Sequence, residues 1–418
     1  MVVEPTALAP AAAIRSRTGM IRVGIAMMLG TVAFIMPFSA GSSILLPARI
    51  ALTDPDDKVQ LLALITGVSA LVALLANVVF GTLSDHTRTR FGARTPWILG
   101  GAVATALLLI PVSLAEGFGA LTLWWCLATA AINATAASIA AILPDRVPHH
   151  RRATIAALIG IGLLLGHAVG AVVGSLFAED TTTGFQVVGV LFVVLAVATV
   201  LIAPDFSNRG DARERLRIAE VTASFRFPRH APDFYWVLWG RLVLVLGYFM
   251  VNGFQLYIFT DYVGMTEADA AAAVRLNSLI FLGTALVGAA IAGPFSDRVR
   301  RRKLPVIIAS LLAVAAASAP MFDASHLGMI WFAIIGGVAF GSYYAVDAAL
   351  TSEVLPSDQS RGRDLGILNI ANTGGQALAP AASAGLVALG LGFFPVFIGA
   401  MAFCAIGALC IAPIKSVR

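Results

Sequence analysis

Long apolar segments, separated by short polar ones, follow each other along nearly the whole chain. A helix needs about 20 apolar residues, at about 1.5 Å each, to cross the hydrocarbon core of a bilayer. The segments that meet this requirement number twelve: 20–48, 59–83, 96–115, 118–143, 153–178, 184–203, 234–261, 268–294, 304–321, 326–354, 364–389 and 391–413. The sequence therefore predicts an all-α polytopic membrane protein.

The longest polar stretch lies between the sixth and seventh predicted spans and divides the chain into two halves. The predicted parts are a tail, a six-helix bundle, a linker, a second six-helix bundle and a second tail, at 1–19, 20–203, 204–233, 234–413 and 414–418. Within the linker, Ile218, Val221 and Phe225 share one helical face among basic residues. That pattern fits a short helix on anionic lipid and equally fits a disordered tether.

A short motif occurs once in each half of the chain. Gly81–Asp85 has the sequence GTLSD, Gly293–Asp297 has the sequence GPFSD, and basic residues follow both. The same offset along the chain relates Arg151 to Arg363. Internal repeats of this kind are typical of transporters that are built from two pseudo-equivalent bundles of helices.

Composition and charge agree with a membrane protein and indicate its orientation. Hydrophobic residues make up 59% of the chain and charged residues 12%, whereas a soluble domain has about a quarter of its residues charged. The basic residues are concentrated in alternate loops, so the positive-inside rule predicts that both termini and the linker are cytoplasmic, in a protein of the plasma membrane. They form no single patch with aromatic residues, so the expected partner is the bilayer and no nucleic acid.

The segment that begins at Ser84 reads SDHTRTRFGARTPWILGG and resembles the loop motif of the major facilitator superfamily. More narrowly, it is similar to the variant in the glycoside–pentoside–hexuronide:cation symporters and their sucrose-transporter relatives. The segments Tyr343–Leu350 and Arg361–Asn372 are similar to the same group. The resemblance implies the major facilitator fold, with twelve helices in two pseudo-symmetric six-helix bundles, and a monomer that works by alternating access.

The resemblance also implies a gate on the cytoplasmic side, where such motifs hold the two bundles together. Its acids would be Asp85 and Asp297, and the glycines at the preceding helix ends are Gly81 and Gly293. The candidate partners of these acids are Arg94, Arg146 and the run Arg300–Lys303, which contains Arg301. The alternative is that these charges only set the topology and the loop shape.

Departures from the family pattern bear on the coupling ion. Melibiose-type relatives bind sodium with acidic side chains in the first bundle, but predicted spans 1, 2 and 4 contain no Asp or Glu. A proton gradient is therefore expected in preference to sodium. The fifth span has His167 where drug/proton antiporters of the superfamily have a proline, and His167 either carries a proton or only packs. The glycines of this span are predicted to form a smooth packing face: Gly162, Gly166, Gly170 and Gly174.

Two charged residues lie well inside predicted spans. A charge at the centre of a spanning helix costs about 2.5–3.5 kcal/mol, so such residues are functional candidates. Arg241 in span 7 and Asp347 in span 10 lie at matching depth, and in the superfamily these spans line the central cavity. We predict a pair that contacts the substrate or responds to protonation. The alternatives are a purely structural pair and an Arg241 that extends to the membrane surface.

Amide and phenol side chains are candidates for contacts with a solute. Amides donate and accept hydrogen bonds, and aromatic faces cover the apolar side of a sugar ring. The predicted solute-binding residues, in addition to Asp347, are Asn133, Asn252, Gln255, Tyr257, Tyr343, Tyr344, Asn369, Asn372 and Gln376. The alternative for each is that it only joins helices.

These features predict secondary active transport of a small organic solute, since the sequence has no Walker-type phosphate loop. Proton-coupled symport of a neutral sugar or glycoside is preferred, and drug or metabolite efflux by proton antiport is the alternative. A non-transporting sensor or lipid scramblase with the same fold is left open. An enzyme is not expected because no catalytic dyad is visible in the sequence. No metal or other cofactor is expected either.

Overall fold

The structure is a computed structural model that describes residues 17–148, 151–209, 228, 231–299, 303–354 and 361–414. These residues form helices joined by short loops, and no strand occurs among them. The all-α fold is confirmed. Some predictions fall outside the described residues or side chains: the linker face of Ile218, Val221 and Phe225, the gate residues Asp297 and Arg301, and the amide of Asn369.

The helices follow the predicted spans closely. They are α1 (Arg17–Ala40), α2 (Leu46–Thr53), α3 (Lys58–His86), α4 (Thr95–Leu114), α5 (Phe118–Arg146), α6 (Arg152–Leu176), α7 (Thr181–Ile202), α8 (Pro232–Asn252), α9 (Gln255–Tyr257), α10 (Glu267–Val299), α11 (Lys303–Phe322), α12 (His326–Glu353), α13 (Arg361–Val387) and α14 (Phe394–Ile411). In the described part, 11 helical segments have the length and apolar composition of a membrane span. The remaining predicted span is α13, which has 27 residues but a lower mean hydropathy because of its amides and glycines.

Spans 1 and 7, which were predicted as single helices at 20–48 and 234–261, are each interrupted. A π-helical turn, Gly41–Leu45, separates α1 from α2, and the N–H of Leu46 bonds to the carbonyl of Gly41. Pro47 follows, and it has no N–H with which to resume the regular pattern. Span 7 breaks after α8 and ends in a second π-helical turn, Ile258–Tyr262. Such turns occur frequently at functional sites.

The chain divides into two compact units that do not follow the two sequence halves. Unit 1 comprises the described parts of 1–39, 75–170 and 185–216, and unit 2 comprises those of 40–74, 171–184 and 217–418. The first half of span 2 and the end of span 1 therefore belong with the C-terminal helices. The predicted division into two six-helix bundles, at 20–203 and 234–413, was based on the sequence repeat and stays a prediction.

In unit 1, glycines allow α6 to lie close to α1. A Cβ atom built at Gly162 would lie 2.5 Å from the Met28 carbonyl oxygen, and one at Gly166 would lie 2.7 Å from Ile35 Cβ. The smooth face predicted for the fifth span is confirmed at these two positions. Helix association in a membrane relies on such small residues because lipid supplies no hydrophobic driving force between helices.

In unit 2, close helix packing is again made possible by glycines. α13 lies against α8, where a Cβ at Gly375 would come within 2.6 Å of the Leu242 carbonyl oxygen. α12 packs on α10 in the same way, through Gly341. The buried apolar cluster of this unit contains residues of α8, α12 and α13, including Leu244, Val346 and Leu368.

Candidate functional site

An ion pair lies inside this apolar cluster of unit 2. Arg241 of α8 donates through Nη2 to Oδ2 of Asp347 on α12, and through Nη1 to the carbonyl oxygen of Leu368 on α13 at 3.2 Å. Only 14% of the Arg241 side chain and 7% of the Asp347 side chain are accessible. The predicted pair is present, and it ties three helices together. Its role in coupling stays a prediction.

Apolar residues of this cluster and two tyrosines of α12 lie around the pair. Tyr343 precedes Asp347 by one helical turn, and its buried hydroxyl lies near Arg241. The rings of Tyr343 and Tyr344 meet edge to face, with centroids 5.7 Å apart. A charged pair in such a setting is strongly coupled, because loss of one charge leaves the other buried and uncompensated.

A row of aromatic and amide side chains extends from the ion pair across unit 2. We call Asn252, Tyr248, Phe340, Tyr344 and Asn372 the aromatic–amide row. Tyr248 stacks on Phe340, with centroids 4.2 Å apart at 23°, and Phe340 lies 4.5 Å from Tyr344. The Tyr344 hydroxyl donates to Asn372 Oδ1 at 3.4 Å, and the Asn252 amide donates to the Tyr248 carbonyl at 3.0 Å.

The row contains three predicted residues, Asn252, Tyr344 and Asn372, and two aromatic residues that sequence reasoning missed, Tyr248 and Phe340. Tyr248 is one turn before Asn252, and Phe340 is one turn before Tyr344, so each pair shares a helix face. This spacing of four residues is the feature of the sequence that could have identified Tyr248 and Phe340. Gln255, another predicted residue, contacts one end of the row, since its amide donates to Asn252 Oδ1 at 2.9 Å.

Three other predicted solute-binding residues are placed differently. The Tyr257 hydroxyl is buried and donates to the Pro47 carbonyl oxygen at 2.8 Å. The Asn133 amide lies in unit 1 and donates to Thr129 of its own helix at 2.9 Å. Gln376 is half-buried on α13, one turn after Asn372. A role in solute binding stays a prediction for all three.

A second charged cluster, in unit 1, contains the predicted gate residues Asp85 and Arg94. The Arg94 guanidinium lies 2.6 Å from Asp85 Oδ1 and 2.6 Å from Ser84 Oγ. It also binds Asp145 Oδ2 through Nε and Nη2, at 3.0 and 2.8 Å. Burial lowers the pKa of Arg94, but Asp145 and Asp85 more than compensate, so the net pKa is raised. Arg94 therefore connects the ends of α3 and α5, and Asp145 is a partner that sequence reasoning missed.

Arg146, which was a candidate partner for the gate acids, pairs with Asp205 instead. The carboxylate of Asp205 also accepts the backbone N–H of Arg94 at 3.0 Å. Asn208 then bonds to the loop between α3 and α4, where its amide donates to the Thr87 carbonyl oxygen at 2.8 Å. The segment after α7 is thereby fixed to the loop that carries the repeated motif.

Gly81 and Gly293, the two glycines of the motif, are not tightly packed. A Cβ at Gly81 would meet only Ala137 Cβ, at 3.9 Å, and no described atom lies within 4 Å of one at Gly293. Gly92 is more constrained, because its φ is +85° and a Cβ would overlap the carboxylate of Asp205.

His167, the remaining predicted coupling residue, lies on α6 in unit 1. Its backbone carbonyl accepts a hydrogen bond from Ser39 Oγ of α1 at 3.0 Å. This contact joins α6 to α1 through the backbone and does not involve the imidazole ring. Proton coupling through His167 therefore stays a prediction. The described residues hold no group of three or more His, Cys, Asp or Glu that could bind a metal ion.

Comparison with known proteins identifies the family. The family described as MFS/sugar transport protein matches residues 58–406 of the chain. The chain belongs to this family. No curated protein sequence matches the chain. The major facilitator superfamily resemblance that was predicted from the loop motif is confirmed.

Solved structures of major facilitator transporters have the same fold as this transporter. It is similar to a D-xylose-proton symporter, with a TM-score of 0.68 and 14% identity over 96% of this chain and 98% of that one. A bacterial homolog of the human lysosomal transporter Spinster is also similar. Its inward-facing occupied form gives a TM-score of 0.67 at 15% identity, over 100% and 98% of the two chains, and its unoccupied form gives 0.66 at 15%, over 96% and 95%. The chain is therefore a multi-pass membrane protein of a secondary transporter family.

Proposed function

We propose that this transporter takes up a neutral sugar or glycoside together with a proton. The observation that supports this is the Arg241–Asp347 ion pair, which is buried beside the aromatic–amide row in unit 2. A titratable carboxylate and a surface suited to a hydroxyl-rich ring thus lie next to each other. That adjacency is what coupling between a proton and a sugar requires.

The proton would act on the ion pair. When Asp347 takes up a proton it loses its charge, and Arg241 then loses the carboxylate with which it is paired inside the apolar cluster. Breaking a buried pair in this way costs about 3–5 kcal/mol. Hydroxyl groups of a solute can accept from the guanidinium and offset part of that cost. Proton and solute therefore stabilise each other's binding, and the proton leaves again when the pair reforms.

The aromatic–amide row would hold the sugar. Asn252 and Asn372 at its ends provide donors and acceptors for hydroxyl groups. Between them, the half-buried Tyr248 ring, which stacks on the buried Phe340, would provide an apolar surface for the C–H face of a pyranose. Because the row carries no formal charge, it suits a neutral ligand better than an ionic one.

The cluster around Arg94 would be the inner gate. Asp85, Arg94 and Asp145 form a charge-assisted network in unit 1, and such networks are strong when partly buried. We propose that the network holds α3 and α5 in one arrangement and that transport requires it to rearrange. Asp297 and Arg301 would form the equivalent in the second half.

The proposal has further parts that concern location and assembly. The transporter would lie in the plasma membrane with both termini cytoplasmic, would act as a monomer without a cofactor, and would not be an enzyme. It would use the proton gradient in preference to sodium. The alternating positive loops support this orientation.

Purified protein in proteoliposomes tests the coupling. We expect an inward proton gradient to drive accumulation of a labelled sugar, with D-xylose, sucrose and a methyl glycoside as the first probes. Asp347→Asn should abolish accumulation but retain exchange of labelled for unlabelled sugar, because exchange needs no net proton movement. Glu179→Gln, which removes an exposed carboxylate, is the matched control and should behave as wild type.

Three outcomes would contradict the proposal. Undiminished accumulation by Asp347→Asn would remove that residue from coupling. Accumulation driven only by sodium would replace the proton. If a thermal-shift screen of the purified protein responds to hydrophobic cations and to no saccharide, efflux by proton antiport becomes the better description.

A further inference from the structure

An arginine lies well inside α10, the helix that forms span 8. Arg275 follows Glu267, the first residue of α10, by eight residues, which correspond to about 12 Å of helix. No ion pair of the described residues includes Arg275. Charged residues in spanning helices are rare and usually have a partner, so Arg275 is a candidate for binding an anionic group.

Arg275 points away from α12, the helix on which α10 packs. Asn277, two residues later, donates to the carbonyl oxygen of Met329 on α12 at 3.0 Å. Two residues turn an α-helix by about 200°, so Arg275 lies on the opposite face. Leu276 and Leu279 beside it are 44% and 48% exposed. Large apolar side chains that a spanning helix exposes face lipid, so Arg275 lies at the edge of a lipid-facing surface.

The turn of α10 before Arg275 leaves room for a bound group. Helical side chains lean toward the N-terminus, so the Arg275 side chain lies over the residues three and four positions earlier. These residues are Ala272 and Ala271, which are small. The acid of this turn, Asp269, accepts from Thr266 Oγ1 at 2.8 Å, while its N–H donates back to that oxygen. Its carboxylate is thus engaged at the start of the helix.

The length of α10 brings the guanidinium of Arg275 near the lipid headgroups. The spanning part, Glu267–Ser296, has 30 residues and is about 45 Å long, whereas the hydrocarbon core is about 30 Å thick. A helix centred on the core extends about 7 Å beyond each side, so the Arg275 Cα lies about 5 Å inside. An arginine side chain can reach the membrane surface from there. The charge pattern predicts that this is the extracellular surface.

We propose that Arg275 binds the phosphate of a phospholipid in the outer leaflet and prefers a lipid with an anionic headgroup. A guanidinium can form two parallel hydrogen bonds to a phosphate. Leu276 and Leu279 then contact the acyl chains of the same lipid. A zwitterionic lipid carries its own ammonium beside the phosphate, so an anionic lipid binds more tightly. The site shares no residue with the aromatic–amide row and is independent of the transported solute.

A fluorescent reporter beside Arg275 tests lipid binding by full-length protein in phosphatidylcholine nanodiscs. Ala268 is exposed two turns before Arg275, so Ala268→Cys can carry a maleimide fluorophore. Phosphatidylglycerol with a nitroxide near its headgroup quenches that fluorophore at short range. We expect Arg275→Gln to raise the mole fraction of this lipid that gives half-maximal quenching by about tenfold to hundredfold, because charge-assisted hydrogen bonds are lost.

Controls separate the site from general effects of charge and of the bilayer. Arg275→Lys keeps the charge but loses the guanidinium and should lie between the wild type and Arg275→Gln. Lys58→Gln removes a cation from the same predicted side of the membrane, but Lys58 Nζ is already paired with Asp261 at 2.7 Å, so quenching should be unchanged. Nitroxide-labelled phosphatidylcholine should distinguish the wild type from Arg275→Gln less than phosphatidylglycerol does. Protein without the added cysteine gives the background from the native cysteines.

The melting temperature provides a second measurement that needs no label. In detergent depleted of lipid, Arg275→Gln should melt at the wild-type temperature or above it, because it removes a charge from an apolar span. Added phosphatidylglycerol should raise the melting temperature of the wild type more than that of Arg275→Gln, since a ligand stabilises the folded state that binds it.

The lipid site is refuted if phosphatidylglycerol quenches the wild type and Arg275→Gln alike, or if Lys58→Gln weakens quenching equally. It is also refuted if this lipid raises both melting temperatures by the same amount. Displacement of the labelled lipid by inorganic phosphate or glucuronate would assign Arg275 to a soluble anion instead. Since no measurement contains a transported sugar, failure to find one would count against the proposed function and not against the lipid site.

Discussion

A single added methyl group at Gly162 should separate two helices of unit 1. The Cβ would lie 2.5 Å from the Met28 carbonyl oxygen and 3.0 Å from Thr31 Cβ, both on α1. A backbone oxygen cannot rotate away as a side chain can, so α1 and α6 must move apart. Overpacking of this kind costs about 1–3 kcal/mol. Alanine is better than glycine in a helix by about 0.8–1.0 kcal/mol, which offsets part of that cost.

Gly160, two residues earlier on the same helix, supplies the matched control. No described atom lies within 4 Å of a Cβ built there. Gly160→Ala therefore has the higher helix propensity of alanine without any overpacking. It should be more stable than the wild type by about 0.8–1.0 kcal/mol. The difference between the two alanine variants isolates the overpacking cost, which we expect to be about 1–3 kcal/mol.

The free energy of unfolding can be compared by titrating detergent-solubilised protein with SDS and following helicity by circular dichroism. Gly162→Ala should unfold at a lower SDS fraction than Gly160→Ala. Equal stability of the two variants, or a more stable Gly162→Ala, would refute the close approach of α6 to α1. Thermal unfolding in the same mild detergent should give the same order.

Other variants test the two sites. Arg94→Lys keeps the charge but loses the planar guanidinium that contacts Asp85 and Asp145 at the same time. The free energy of unfolding should therefore fall by about 1.5–3 kcal/mol in the same titration. Gly92→Ala should lower the melting temperature more than Gly117→Ala: both glycines have positive φ, but only at Gly92 would the Cβ meet a carboxylate. Tyr248→Leu, which removes the ring, should weaken sugar binding about twofold to tenfold in a titration, since aromatic contacts are worth about 0.5–1.5 kcal/mol beyond burial. Unchanged affinity would exclude the aromatic–amide row as the sugar site.

Hydropathy predicted the helices well because a bilayer demands long apolar segments and little else. It missed the interruptions in spans 1 and 7, because hydropathy averaged over a long window does not distinguish a π-helical turn such as Gly41–Leu45 from the α-helix around it. Pro47 was the available clue. The repeat of the motif and the basic loops likewise indicated the family before any contact was known.

The ion pairs could be predicted only where both partners stood out in the sequence. Arg241 and Asp347 did, because each is a charge within an apolar span. Asp145 and Asp205 did not, because they look like ordinary loop acids, and only the fold brings them to Arg94. The amides were ambiguous for a similar reason. Asn133 and Asn372 are equally polar in sequence, yet one bonds to its own helix and the other to a tyrosine of α12.

The composition of α13 has a consequence for how the chain is synthesised. The insertion machinery admits a segment to the bilayer according to its apolar content, and Asn and Gln near a helix centre count against it. α13 carries Asn369, Asn372 and Gln376 and does not reach the apolar composition of the other spans. It should therefore enter the membrane only with help from helices made before and after it, and its Gly375 face is shaped to fit α8. A chain truncated before α14 is expected to leave α13 outside the bilayer, so biogenesis is completed only with the last helix.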